Sequence, residues 1–149
     1  MATQYTSVLR LALPVTGELD GTWGDTVNDN ITSMLEEAIT GRVTIDTWTA
    51  NAHTLTTANG TTDEARNAIL NLTDTTTDLS GAGELICPAA SKVYIVKNGT
   101  GQTITVKTSA GTGVDIADGV TKLVFCDGTN VVDGATGLSS LEMGGNAVS

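Results

Sequence analysis

The sequence predicts a mainly β protein: an antiparallel, jelly-roll-like β-sandwich preceded by an extended N-terminal arm and one amphipathic α-helix. Three observations carry that expectation. The chain holds 27 threonines and 17 glycines; Thr is stiff at χ1 and suits a pleated, half-exposed surface, while Gly supplies the turns between strands. Only residues 23–40 repeat their apolar positions at helical spacing. From Arg42 onward the apolar residues alternate in short runs separated by turn chemistry, the mark of strands joined by tight connections.

The first 22 residues place Val8, Leu9, Leu11, Leu13 and Val15 among Pro14, Gly17 and Gly21, which interrupt regular structure. This reads as an extended arm with little core of its own, and an arm with that much aliphatic surface needs somewhere to bind. In residues 23–40, Val27, Ile31, Met34, Leu35, Ala38 and Ile39 form an apolar face. Thr22 or Gly24-Asp25 can cap its start, Asp25 and Asp29 suit the positive end of the helix dipole, and Gly41 is placed to end it.

The strand candidates follow in order. Residues 43–49 carry Val43 and Ile45 on one face and Trp48 on the other, 53–57 surround Leu55, and 65–73 set Ala68, Leu70 and Leu72 on one face. Residues 85–87 come next, then 92–98 and 102–108 around Asn98-Gly-Thr-Gly101, which reads as a hairpin with Ile95, Ile104 and Val106 offered to the core. Residues 113–117 precede a last pair, 121–126 and 130–133, across Asp127-Gly-Thr. Connections too short for crossover helices predict antiparallel pairing throughout. The organisation expected is therefore 1–41 as arm and helix with a surface for attachment, 42–136 as β domain, and 137–149 as a linker or the start of something longer.

Bulk composition bounds the function. A chain of 149 residues suits one core. With 40% hydrophobic but only 3% aromatic residues, that core must be aliphatic, which favours thin sheets over a large ligand cavity. Net charge is −10, and seven Lys and Arg against 17 Asp and Glu offer no cation cluster for a phosphate backbone or an anionic membrane. Residues 1–40 hold six acids and only Arg10, an acidic density that points to a basic partner surface. No apolar run approaches the roughly 18 to 20 residues that span a bilayer, and the first residues lack a signal-peptide pattern, so synthesis in the cytoplasm is expected. Cys87 and Cys126 lack metal-ligand spacing and are read as buried small apolar residues, with a bridge between them left open.

A search for chemistry finds none assembled, so no enzyme and no cofactor is expected. His53 is the only histidine and has no acid or cysteine beside it in sequence. Asp63-Glu64, Asp74 with Asp78, and Asp115 with Asp118 are the carboxylate pairs a glycosidase would need, but each sits where Asp serves turns. Asp127-Gly-Thr-Asn130 lacks the repeating acids of a calcium loop, and Gly99-Thr-Gly101 and Gly111-Thr-Gly113 lack the helix and Lys of a phosphate cradle. Trp23 is read equally as packing on a partner or on its own domain, and Trp48 as core.

The stretch Leu13-Pro-Val-Thr-Gly-Glu-Leu-Asp-Gly-Thr-Trp-Gly-Asp-Thr-Val-Asn-Asp-Asn-Ile31 resembles the N-terminal, virion-anchoring segment of bacteriophage tail fibre proteins of the marine and cyanobacterial type. There a Trp-Gly-x-x-Val-Asn-x-Asn motif precedes a short helix, matched here by Trp23, Gly24, Val27, Asn28 and Asn30. The stretches 65–73, 94–100 with 104–107, and 124–132 look like the β domain that follows it. The resemblance implies a homotrimer in the virion tail whose N-terminal part docks on a tail adaptor, nozzle or neck protein, with receptor binding at a distant tip. The sequence departs by stopping at Ser149, just after Leu141-Glu-Met-Gly-Gly-Asn146, where a shaft would begin: either the distal fibre is absent from this chain, or the protein is a short connector. The docking residues expected are Leu11, Leu13, Val15, Trp23, Val27, Asn30, Ile31 and Met34. Head-fibre or capsid-decorating roles, and a carbohydrate-binding sandwich stacking sugars on Trp48 and Tyr94, are the alternatives.

Overall fold

The computed structural model describes residues 3–136. The chain is mainly β with mixed sheets. It begins with two short strands, β1 (Gln4–Tyr5) and β2 (Ala12–Leu13), paired antiparallel. The arm is therefore a small hairpin rather than an extended strand. The Thr6 hydroxyl accepts the Leu11 amide at 2.9 Å and the Leu11 carbonyl accepts the Thr6 amide at 2.9 Å, which closes the turn.

The expected helix is present as one run of 18 residues: α-helical at Trp23–Val27, π-helical at Asn28–Thr32 and α-helical at Ser33–Thr40. Thr22 stands at its start without a side-chain cap bond. Gly41 ends it in extended, not left-handed, conformation, its amide bonded to the Glu37 carbonyl at 2.8 Å. Glycine is needed there for space, since a Cβ would collide with that carbonyl and with the Asn67 side chain. The wide turn has a consequence for the apolar face. Trp23, Val27, Ile31, Leu35 and Ile39 recur every four residues, a spacing that overshoots each α-turn by about 40°. One π-turn takes part of that drift back and keeps the five side chains in a straighter stripe.

Nine further strands form two sheets: β3 (Arg42–Ile45), β4 (Ala52–Thr54), β5 (Ile69–Thr73), β6 (Gly83–Cys87), β7 (Lys92–Gly99), β8 (Ile104–Thr108), β9 (Gly113–Ile116), β10 (Thr121–Cys126) and β11 (Val131–Asp133). A five-stranded sheet runs β11-β10-β7-β5-β3 and a four-stranded sheet β4-β6-β8-β9. The expected all-antiparallel pairing is overturned: β3 with β5, β5 with β7, β4 with β6 and β6 with β8 are parallel. Parallel neighbours need a long crossover, and helices are not the only way to make one. Here the crossover is a strand of the other sheet: from β3 through β8 the chain alternates sheets at each step and returns beside its previous strand in the same direction. Antiparallel pairs end the coil, β8 with β9, then β7 with β10 and β10 with β11.

That winding also corrects the hairpin expected at residues 98–101. β7 and β8 lie in different sheets, so the connection is an arch between layers. The fully buried Asn98 builds it. Its Nδ2 donates to the Gln102 and Ile116 carbonyls, both at 2.8 Å, and its Oδ1 accepts the Thr100 amide at 3.1 Å and hydroxyl at 2.9 Å. Four satisfied bonds make a buried amide tolerable where an apolar residue would leave carbonyls orphaned. The last turn is the hairpin the sequence indicated: Asp127 accepts the amides of Thr129 and Asn130, both at 2.8 Å, and Gly128 adopts φ +103°.

One core takes residues from both sheets, including Ile45, Leu70, Leu72, Tyr94, Val96 and Val124 from the larger and Leu85, Ile104, Val106 and Ile116 from the smaller. Each buried aliphatic side chain contributes about 1.5–3 kcal/mol relative to exposure. Trp48 joins this core, its indole donating to the Thr73 carbonyl at 2.8 Å, and the Tyr94 hydroxyl donates to Ala65 at 3.0 Å. Cys87 and Cys126 are buried free thiols. Burial first, and the neighbouring Cys126 second, push the Cys87 thiol up to about 12. Ile95, expected inside, faces out.

Candidate functional site: the arm and helix on an arginine hub

The segment that joins arm, helix and β domain is the polar loop at residues 56–67. Its centre is Arg66, whose side chain is 1% exposed. Nε donates to the Leu9 carbonyl in the arm at 3.0 Å. Nη1 reaches the Thr61 carbonyl at 2.5 Å, the Met34 sulfur at 3.1 Å and Glu37 Oε2 at 3.2 Å, and Nη2 donates to the Ala58 carbonyl at 2.9 Å. Asp63 lies 3.3 Å from Nη2 and also accepts the Ala58 and Arg66 amides at 2.7 Å. A guanidinium with five donors in a rigid fork suits such a hub better than an ammonium.

Further bonds seat the same pieces. The Gly60 amide donates to the Arg10 carbonyl at 2.9 Å, and Asn30 Nδ2 donates to the Gly60 carbonyl. Glu37 Oε1 accepts the Thr62 hydroxyl at 2.5 Å and Asn67 Nδ2 at 3.2 Å. Lys92 lies on the rim, its ammonium 4.3 Å over the Tyr94 ring and donating to the Asn67 carbonyl at 3.0 Å; burial pulls it down to about 8. Glu18 in the arm accepts the Thr3 hydroxyl at 2.6 Å and the Val15 amide at 3.1 Å, and these bonds, Thr3 foremost, hold its carboxyl below the usual range.

The expected docking residues divide across this arrangement. Asn30 and Met34 point inward to the loop and serve the chain's own fold. Leu11, Val15, Val27 and Ile31 are half-buried, Leu13 is exposed, and Trp23 is 61% exposed. Leu35 and Ile39, not among the residues expected, extend the open side, Ile39 being 73% exposed. Sequence reasoning also missed Arg66. Its signal was that it is the only Lys or Arg between Arg42 and Lys92, three residues after Asp63.

The other candidate residues have local duties. His53 Nε2 lies 3.1 Å from Glu64, and Nδ1 lies 2.8 Å from the Thr47 carbonyl; Glu64 is held below its usual range, its bonds to Thr56 and His53 outweighing burial. The Thr47 hydroxyl is 3.5 Å from Nδ1, a nitrogen the Thr47 carbonyl already engages at 2.8 Å, which is no geometry for activating a nucleophile. Asp74 accepts the Asp78 and Leu79 amides, Asp115 the Thr105 hydroxyl and Asp118 the Gly101 amide. The rings expected to stack on sugars, Trp48 and Tyr94, are core residues and present no platform. Among the described residues no group of three His, Cys, Asp or Glu is placed to hold a metal, and no helix is long and apolar enough to cross a membrane. Neither a family model, nor a curated protein, nor a solved structure matches this chain.

Proposed function

We propose that the chain is a structural protein of a bacteriophage virion, the anchoring piece of a tail fibre, whose arm and helix attach it to a neighbouring protein and whose β-sandwich spaces the next element outward. The observation that carries this reading is the open side of the helix. Polar bonds to the Arg66 hub hold its inner side, while Trp23, Leu35 and Ile39 stay exposed on the other. A contiguous apolar stripe on an otherwise charged surface marks an interaction site, and an exposed Trp is the residue type most enriched at interface hot spots. The similarity of residues 13–31 to fibre anchors supplies the kind of neighbour, a tail adaptor, nozzle or neck protein. Attachment and assembly, not turnover, are the activity.

The test is incorporation. Purified virions made with the wild-type chain should contain it at the tail in cryo-electron microscopy density, and Trp23→Ala should lower its incorporation about tenfold or more, the scale of a lost hot spot. Density on the capsid would move the chain to a head-fibre role. Equal incorporation of the variant would sink the anchoring role of the helix.

A further inference from the structure

Among the described residues nothing covers the outer face of the five-stranded sheet, and that face is apolar. Alternation along the strands sends Ile69 (β5), Val93 and Ile95 (β7), Leu123 and Phe125 (β10) and Val132 (β11) to that side. The register sets them opposite one another: Ile69 faces Ile95, Ile95 faces Leu123, Val93 faces Phe125, and Phe125 faces Val132. Val93, Ile95, Leu123 and Phe125 are 38–56% exposed. Four adjacent strands thus carry one continuous patch, about 14 Å wide at the usual strand spacing.

Its charges are as informative as its apolar residues. In a chain of net charge −10, the only charged strand residues on this face are Arg42 and Lys97. The acids at its border lie past strand ends and are engaged locally: Asp46 after β3 accepts bonds from Thr73 and Thr75, and Asp127 after β10 accepts the Thr129 and Asn130 amides. The helix shows the converse pattern. Residues 11–41 contain no Lys or Arg, and Asp25, Asp29 and Glu36 accompany its exposed apolar stripe. That stripe, from Trp23 to Ile39, is about 24 Å long at the α-helical rise, enough to cross the patch.

From this complementarity we infer that the occupant of the sheet face is the helix of a second copy of the same chain. The inference rests on the attachment role given above to the helix and assigns its Ile31–Ile39 end to a second copy, leaving Trp23 and the arm for the tail protein. Ile31, Leu35 and Ile39 of one copy lie on Val93, Ile95, Leu123 and Phe125 of the next, with the helix acids towards Arg42 and Lys97. Elsewhere two such acidic copies repel, whereas this pairing sets opposite charges around an apolar centre, which favours one orientation. Because helix and face are different surfaces, the contact is heterologous, and it propagates from copy to copy until a ring closes.

A heterologous contact has a test that a face-to-face contact fails. Full-length wild-type chain is compared by sedimentation velocity with Leu123→Lys, which spoils the face, and Ile39→Lys, which spoils the helix. Both positions are exposed, so circular dichroism melting should not change. The expected result is a wild-type oligomer, a tenfold or greater weakening for each variant alone, and a one-to-one heterodimer when the two are mixed, since one intact helix and one intact face remain. A monomeric wild type, an unaffected Ile39→Lys oligomer, or no complex on mixing would each overturn the inference. A monomeric wild type whose Trp23→Ala variant still fails to enter virions removes only this copy-to-copy contact and leaves the anchoring role standing. An oligomer that assembles as expected but never enters virions does the reverse.

Discussion

Replacing Arg66 by Ala should release the arm and helix from the β domain without unfolding it. The guanidinium is shielded from water and bridges Asp63, whose side chain is 2% exposed, and Glu37, whose side chain is 13% exposed. It also satisfies the Leu9, Ala58 and Thr61 carbonyls. Removing one partner of a buried ion pair costs about 3–5 kcal/mol, because the remaining charge is left without compensation. Apolar burial adds little to the helix's attachment, since Met34 is its only buried residue, and the other bonds that seat it, Asn30 to Gly60 and Glu37 to Thr62 and Asn67, reach the same loop that Arg66 organises. That loss therefore falls on the local attachment and corresponds to roughly a hundredfold to several-thousandfold more frequent opening. Amide hydrogen exchange reads it directly. The Ala58 amide, bonded to Asp63, and the Gly60 amide, bonded to Arg10, should exchange faster by at least a hundredfold, while Val96 and Val124 in the core change far less. Arg66→Lys keeps one charge but loses the fork and should fall between. Wild-type protection at Ala58 and Gly60 in Arg66→Ala, or equal loss in the core strands, would refute the view of Arg66 as a local staple.

Asn98→Ala removes four hydrogen bonds from the arch between sheets and leaves the Gln102 and Ile116 carbonyls without that donor; a loss of about 2–4 kcal/mol in urea unfolding is expected, and a change under 1 kcal/mol would count against the arch being built by this side chain. Ala50 and Asn51 both adopt positive φ, 52° and 61°, in the tight turn closed by Thr49 and Ala52, so Ala50→Gly should stabilise by about 0.5–1 kcal/mol and raise the melting temperature a few degrees. Acid should destabilise the fold through its carboxylate acceptors. Asp46 is lowered chiefly by the Thr75 hydroxyl, Asp127 by the Asn130 and Thr129 amides and Asp133 by Lys122. Each is depressed in the folded state, so its stabilisation is complete above the ordinary carboxylate value of 3.8 and is lost as pH falls through the folded value. Melting temperature should be nearly flat from pH 7 to about 5 and drop below about 4, and Asp46→Asn should shallow that drop; an unchanged slope would mean that Asp46 is not among the groups responsible.

Local patterns were legible wherever a residue's neighbours in sequence are also its neighbours in space. The helix at residues 23–40, the turn at Asp127 and the inward faces of Leu70 with Leu72 and Ile104 with Val106 follow from periodicity and turn chemistry, which act over a few residues. The chemistry of His53 and of the carboxylate pairs was partly legible in the same way: Asp74 and Asp127 serve turns built from adjacent amides. Glu64, by contrast, reaches His53 only because β4 and the loop at residues 56–67 fold against each other.

What the sequence by itself determined is thus the material of the protein: an aliphatic, threonine-rich β chain with one helix and an acidic N-terminal segment. What only the tertiary structure decided is how those pieces are joined. Asn98-Gly-Thr-Gly101 has the composition of a hairpin, and whether such a turn returns within one sheet or crosses to another depends on a buried amide finding carbonyls at Gln102 and Ile116, the latter 18 residues away. Parallel pairing arose for the same reason, since strand partners separated by β4 or β6 leave no local mark. Ile95 shows the limit most plainly. Alternation places it opposite Val96, but only the second sheet determines which of the two is the inside, and the side left open, with Val93, Leu123 and Phe125 beside it, is where a neighbour is expected.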